Sequence, residues 1–309
     1  MADYDLLVVG DVNPDLVLRG DAWPEFGQVE QLVDDAQLVI GGSGAIMACG
    51  AARLGLRTVL CGVIGDDLFG RFMMDALRDA GVDRGGVAVA GDNRTGLSVI
   101  LSRGEDRGVL TFPGSIGELE AGDIDLELVR SSRHVHVSSY FLQRGVHAGL
   151  PRLFREAHRA GATMSVDPNW DPSGAWDGGL SELLTETDVF LPNQAEARSI
   201  AGMDDTTRAA RALAERASAV PVKCGREGAL AVEAEEVVRV AAIPSGVVDT
   251  IGAGDSFDAG LIAARLAGWP LDRCLRLAVA CGSLSTRAVG GTAAQPSMAE
   301  AQAAAEVTK

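Results

Sequence analysis

Asp249-Thr250-Ile251-Gly252-Ala253-Gly254-Asp255-Ser256-Phe257, followed by an apolar run through Leu266, is the stretch from which the rest of the chain is read. Three small residues ahead of a helix let backbone N–H groups converge on one spot, where the helix dipole also favours negative charge, so Gly252, Ala253 and Gly254 form a candidate anion hole. Asp255, on the first turn beside it, is placed to take a proton from a hydroxyl attacking a phosphorus held there. The plainer alternative is a Gly-rich turn with Asp255 as a capping group. Working outward, short apolar runs recur at residues 4–10, 57–62, 134–138, 162–167, 187–191 and 220–224. Helical patterns lie between them, at 67–80, 146–160 and 207–217. Runs buried on both faces and alternating with helices predict an α/β fold with a doubly wound, mainly parallel sheet. Two segments break the rhythm, at about 15–40 and 94–112, and are expected to form a small β-sheet inserted in a single domain spanning 1–309. The second holds a polar turn, Arg103-Gly104-Glu105-Asp106-Arg107-Gly108, and the Ala-rich tail from 298 to 307 reads as a closing helix.

The 309 residues carry 43 acidic and 27 basic side chains, a formal charge of −16, which argues against a nucleic-acid or anionic-membrane surface. At 47% hydrophobic and 23% charged, the composition is that of a core-forming globular chain. No stretch approaches eighteen uninterrupted apolar residues and the first residues lack a basic n-region, so a cytoplasmic location is expected. Cys49, Cys61, Cys224, Cys274 and Cys281 are scattered without metal-ligand spacing and read as reduced thiols. His134 and His136 share one face of a strand without a third ligand nearby, and read as ordinary strand residues.

Four further stretches carry candidate chemistry. Asp11, Asn13 and Asp15 follow the first buried strand, where an α/β sheet opens onto ligand, and suit hydrogen bonding to neighbouring hydroxyls; a plain Asn/Asp/Pro turn is the alternative. Gly41 and Gly42 remove side chains, either for a ligand's close approach or for tight helix packing. Asn193 and Glu196 lie three apart at a helix start, where a carboxylate holds water on Mg²⁺ or where Asn193 simply caps the helix. Gly225 and Gly228, after Lys223, make a loop beneath a purine or a hairpin turn.

Together these stretches resemble the ribokinase, or PfkB, family of carbohydrate and nucleoside kinases. The segment around Asp255 is similar to its D-T-x-G-A-G-D-x-F signature, Gly41-Gly42-Ser43-Gly44-Ala45 to its di-glycine motif, Asn193-Gln194-Ala195-Glu196 to its N-x-x-E element, and Lys223 to Gly228 to its K-x-G-x-x-G nucleotide loop. Asp11 to Asp15 sits where the family binds its acceptor. The resemblance implies transfer of the γ-phosphoryl group of ATP to a sugar hydroxyl, with a nucleoside kinase or a catalytically silent sugar-binding regulator as alternatives. It implies acceptor contacts from Asp11, Asn13, Asp15, Gly41, Gly42, Ser43, Asn169 and Asp255. Asn193, Lys223, Gly225, Gly228, Thr250, Gly252 and Gly254 are implied on the nucleotide, with Asn193 and Glu196 in the outer shell of Mg²⁺. A monovalent cation, usually potassium, is implied near Asp249, Ile251 and the segment around 285–291. The small sheet is then a lid, and lids that pair predict a homodimer.

The sequence departs from the family at Ile46, where many members have asparagine, and at Asp171, where several sugar kinases have arginine; both leave the acceptor's identity open. The small polar residues expected at the acceptor are neutral or acidic, which predicts an unphosphorylated sugar, with Arg19, Arg94 and Arg103 as the cations able to oppose that reading. Ile46 and Trp170 are expected to make part of the pocket apolar. A nicotinamide dehydrogenase would need G-x-G-x-x-G after the first strand and a P-loop ATPase Gly-Lys-Ser or Gly-Lys-Thr, and neither is present.

Overall fold

The computed structural model describes residues 2–103 and 106–306; Gly104 and Glu105 of the expected turn, and Val307 of the expected last helix, lie outside the described residues. The chain runs β1 (Tyr4–Val9), β2 (Asn13–Arg19), β3 (Asp35–Gly41), α1 (Ser43–Arg53), β4 (Thr58–Gly65), α2 (Leu68–Asp79), β5 (Asp83–Ala90), β6 (Leu97–Arg103) and β7 (Asp106–Phe112). It continues with α3 (Leu126–Arg130), β8 (Ser132–Val137), α4 (Leu150–Arg159), β9 (Thr163–Val166), α5 (Leu180–Leu183), β10 (Val189–Phe190), α6 (Gln194–Ala201) and α7 (Thr206–Ala214). β11 (Ala219–Lys223), β12 (Ala229–Glu233), β13 (Glu236–Val240), α8 (Ala253–Leu266), α9 (Leu271–Ser285) and α10 (Met298–Ala305) complete it.

Nine strands form one sheet in the order β13-β12-β11-β10-β9-β8-β1-β4-β5, parallel from β11 to β5 and antiparallel at the β11-β12-β13 end. Both faces are covered, so successive residues of β1 enter different cores. Leu6 and Val8 pack with α1, α8 and α9, whereas Leu7 and Val9 pack with α4 and α7. From β1 the chain winds outward through β4 and β5, then returns to β8 on the other side of β1. That reversal opens a crevice at the carboxyl ends of β1 and β8, the usual place for a ligand.

The second sheet has four strands, β3-β2-β6-β7, as the two segments that broke the rhythm predict. β2 and β3 pair antiparallel from Asn13 opposite Gly41 to Arg19 opposite Asp35, so this hairpin leaves and rejoins the main sheet at one point. Val17 and Ile100 are buried, while Leu38, Val109, Leu110 and Phe112 stay exposed. β5 is not evident in the sequence because Gly85 and Gly86 interrupt its pattern. Gly86 is needed there, since a Cβ would stand 2.3 Å from Cys61 Sγ. All five cysteines are free. His134 and His136 are buried strand residues that share Ser165 as a hydrogen-bond partner.

Leu7 is fully buried in β1 and makes the clearest probe of the core. Leu7→Ala should destabilise the protein by about 2–5 kcal/mol; a smaller loss in a denaturant titration would show that this layer relaxes around the cavity.

Candidate active site

Gly252 begins the site by taking the left-handed conformation, φ 69°, at the start of α8. A Cβ there would lie 2.6 Å from Gly291 Cα and 2.9 Å from Ile46 Cγ2, so both space and backbone conformation require glycine. The helix has no side-chain cap at this end, which leaves the first turn of Ala253, Gly254 and Asp255 as a positive dipole end facing the crevice. Asp255 is joined to the start of α1 by a hydrogen bond from Ser43. Burial, with Asp167 next in weight and Asp11 also contributing, pushes its carboxyl up to about 8, and Lys223 opposes the rise.

Across the crevice, Asp11 follows β1 and accepts from the backbone N–H groups of Ser43 (3.1 Å) and Gly44 (2.9 Å), the first turn of α1. It also accepts from the Ser139 hydroxyl, and Ser139 in turn accepts from Asn169 Nδ2 at 3.0 Å. Ser139 and Asn169 both have positive φ, 53° and 54°, so two non-glycine residues hold uncommon backbone conformations side by side. Asn13 is 2% exposed, and its Oδ1 has no protein donor. A Cβ on Gly42 would fall 2.9 Å from that oxygen, and one on Gly41 would fall 2.0 Å from Asp15 Oδ1. The di-glycine therefore keeps open the space beside two buried acceptors. Burial, followed by Asp11, pushes Asp15 up to about 7, while Arg107 opposes the shift.

Asn193 and Glu196 form a reciprocal cap on α6: Asn193 Oδ1 accepts from the Ala195 and Glu196 N–H groups, and the Asn193 N–H donates to Glu196 Oε2 at 2.7 Å. Asn193 Nδ2 donates to the other oxygen, Oε1, at 2.5 Å. Glu196 is 5% exposed, and burial together with Asp167 pushes it up to about 7. Both its oxygens are engaged, which suits a fixed outer-shell charge better than a direct metal ligand. Gly225 and Gly228 belong to the tight connection between antiparallel β11 and β12, so the hairpin alternative is what the backbone adopts. The Lys223 side chain turns away from that loop into the protein, onto Asp167 (2.5 Å) and Asp258 (3.2 Å).

Asp249 ties two segments together, accepting from Ile251 N–H at 3.0 Å and Gly290 N–H at 2.9 Å, while Thr286 O accepts from the N–H groups of Val248 and Asp249. The stretch near Asp249 and Ile251 thus lies beside the one around 285–291.

The structure gives the surroundings of Ile46, Asp171 and Arg94. Ile46 packs beneath Gly252 and Gly291. Asp171 is buried and accepts from Ser173 and Trp176, so it braces its own loop. Arg94 stacks over Phe112, the side chain of Arg103 lies outside the described residues, and Arg107 on β7 reaches the crevice, where its Nη1 donates to Thr250 Oγ1 at 3.1 Å and lies 3.9 Å from Asp249 Oδ1. Ser139, Asp167 and Asp258 are the other residues of the site that sequence reasoning missed. One signal was available: Asp258 lies one helical turn after Asp255, directly ahead of the apolar run from Ala259 to Ala264.

The PfkB family model, described as pfkB family carbohydrate kinase, matches residues 3–298. The chain belongs to this family of carbohydrate kinases. It is 32% identical over 292 residues to an ATP-dependent ribose-1-phosphate kinase of Halopiger xanaduensis, covering 94% of each chain. Ribokinase of Arabidopsis thaliana is 29% identical over 308 residues, covering 94% of this chain and 78% of that one. The solved structure of Arabidopsis ribokinase with ribose and ATP has a TM-score of 0.83 at 26% identity and 99% coverage of both chains. A putative ribokinase II of E. coli in complex with ATP and Mg²⁺ shares the fold, with a TM-score of 0.86 at 24% identity, covering 98% of this chain and 99% of that one.

Gly41 gives a direct test of this kinase's pocket. Gly41→Ala displaces the Asp15 carboxylate and should raise the KM for the phosphoryl acceptor by about tenfold or more, with the KM for ATP within a few fold. Equal KM values for the acceptor would show that Asp15 does not contact it.

Proposed function

We propose that this kinase transfers the γ-phosphoryl group of ATP to a hydroxyl of a small unphosphorylated sugar, with Asp255 as general base. The observation that carries this reading is the buried, unpartnered Oδ1 of Asn13, open beside Gly42 and next to the carboxylate of Asp15. Three acceptor oxygens in one small space suit hydroxyl donors and repel a second phosphate. Arg107, a cation that acts on Asp15, also engages Thr250 and the Asp249 carboxylate. A nucleoside is the second reading, favoured by Trp170, 57% exposed beside Asn169 and packed edge-on against Trp176, where its face is available to a base.

In this mechanism Asp11, Asn13, Asp15 and Asn169 orient the acceptor, and Asp255 takes the proton of the attacking hydroxyl. The N–H groups of Gly252, Ala253 and Gly254 receive the charge of the transferring group. Asn193, Gly225, Gly228 and Thr250 bound the nucleotide side. Glu196 and Asn193 would hold Mg²⁺ through its outer shell, and the ion would supply positive charge against the phosphates. Carbonyls beside Asp249 and Ile251 would hold a potassium ion, and the small sheet would close over the acceptor to exclude water. Its exposed Leu38, Val109, Leu110 and Phe112 are the apolar surface through which two copies would pair as a homodimer. ATP as donor suits the cytoplasm, and no helix among the described residues is long and apolar enough to cross a membrane.

Asp255→Asn should lower kcat by roughly two to four orders of magnitude while leaving both KM values within a few fold; near-normal turnover removes the base from this carboxylate. Glu196→Gln should raise the magnesium concentration for half-maximal rate, and an unchanged titration would count against its outer-shell role. For the acceptor, ADP release with ribose, fructose, adenosine and fructose 6-phosphate decides: a tenfold preference in kcat/KM for the phosphorylated sugar would overturn the neutral-acceptor reading.

A further inference from the structure

Lys223 is one of two lysines in the chain, and the only one among the described residues. Its backbone ends β11 and opens the glycine connection to β12, but its side chain runs inward beneath Gly254. A Cβ built on Gly254 would lie 3.6 to 3.9 Å from Lys223 Cδ, Cε and Nζ. The side chain is 13% exposed, and its ammonium donates to Asp167 Oδ2 at 2.5 Å and to both oxygens of Asp258 at 3.2 Å. Carboxylate oxygens of Asp167, Asp255 and Asp258 all lie within 4.8 Å of one another. One cation therefore sits against a cluster of three acids, which come from β9's end and from two successive turns of α8.

We propose that Lys223 is a positioning residue for phosphoryl transfer, a fixed positive charge held by Asp167 and Asp258 behind the Asp255 carboxylate, which eases ionisation of that carboxylate so that it can accept the hydroxyl proton. This rests on the reading of Asp255 as the base.

The reasoning is electrostatic. Asp255 faces Asp11 from the end of β1, Asp167 from the end of β9, Asp258 from its own helix, and the Ser43 hydroxyl from α1; Glu196 on α6 acts on Asp167 and Lys223 behind them. Every charged side chain in that ring is acidic except Lys223. A buried carboxylate among like charges prefers to hold its proton, and a base that already holds one cannot take another. Burial also works against the Lys223 cation, but Asp167, Asp258 and Glu196 outweigh it and hold the ammonium protonated. Asp167 stays ionised against its burial because of Lys223 and a hydrogen bond from Asp258, whereas burial lifts Asp258 well above the carboxylate range. The ammonium thus remains a permanent charge while the carboxylate beside it titrates.

The test is the acid limb of kcat/KM against pH, which reports ionisation of the base in the free enzyme. Lys223→Met should move that limb upward by about one pH unit or more, with much of the rate recovered at high pH and the KM for ATP within a few fold. A uniform rate loss without movement of the limb overturns the inference, because that is what a purely structural lysine would give. Should Lys223→Met leave Asp167 too poorly compensated to fold, the same substitution is made in the Asp167→Asn background. The limb should again lie above that of Asp167→Asn alone, and coincidence of the two limbs overturns the inference. Asp255→Asn separates this idea from the reading beneath it. Near-normal turnover of that variant overturns the base assignment and the inference together, whereas its inactivity beside an unmoved Lys223→Met limb overturns the inference alone.

Discussion

The carboxylate of Asp11 is held by the first two N–H groups of α1, and at that junction the two sheets meet. β1 ends just before it, β2 begins two residues after it, and β3 returns at Gly41 to feed α1. Such a closure demands close backbone approach: a Cβ on Gly10 would lie 3.0 Å from Gly44 Cα, and one on Gly44 would lie 2.9 Å from Gly10 Cα. A charge-assisted capping bond at a helix N-terminus is among the stronger ways to fix such a crossing. Once fixed, it places Asn13 and Asp15 against the di-glycine and brings Ser43 to Asp255. The pocket's geometry follows from how one hairpin is anchored.

That anchoring has an electrostatic consequence. Asp11, Asp15, Asp167, Glu196 and Asp258 are all buried, with the partly buried Asp255 between them, and the formal charge of −16 shows that the chain does not offset them globally. Neutralisation has to be local. On one side it comes from backbone N–H groups around Asp11, on another from Lys223, and at the rim from Arg107, which reduces the upward shift of Asp15. A polyanion binding here would meet Lys223 and Arg107 already engaged by protein groups, which is why the first turn of α8 matters: no side chain caps its N–H groups.

Much of the fold was legible because the signals are local. Apolar runs at residues 4–10 and 220–224 become β1 and β11 within one or two residues, and the interruption of the rhythm at 15–40 and 94–112 becomes the second sheet. β5 and β13 escape such reading, since glycine and polar residues in these two edge strands erase the period on which it depends. For the site, the short motifs around Asp11, Gly41 and Asp255 do converge, because each sits at an element's end. Lys223 falls in the nucleotide loop by resemblance to the family, and the direction of its side chain is set by the pleat at the strand end, which a motif does not carry. The union of Asp167, Lys223 and Asp258 requires three separate strand and helix ends to align, and Ser139 enters through an uncommon backbone conformation with no sequence signature.

Arg107 shows why the small sheet cannot be treated as a separate module. It stands on β7, the far strand from β3, yet its guanidinium reaches Thr250, two residues before Gly252. The second sheet therefore touches the main domain at both ends of the crevice, through Asp11 and Gly41 on one side and Arg107 on the other. The first contact is built from backbone and closely packed glycine. The second includes a long, partly exposed side chain on the Thr250 hydroxyl, with Asp249 at 3.9 Å. Contacts of the second kind are weak and readily exchanged, so any opening of the small sheet would hinge at the glycine junction and part at the arginine. In that motion Asp15 keeps its place near the junction while losing the cation that favours its ionised form.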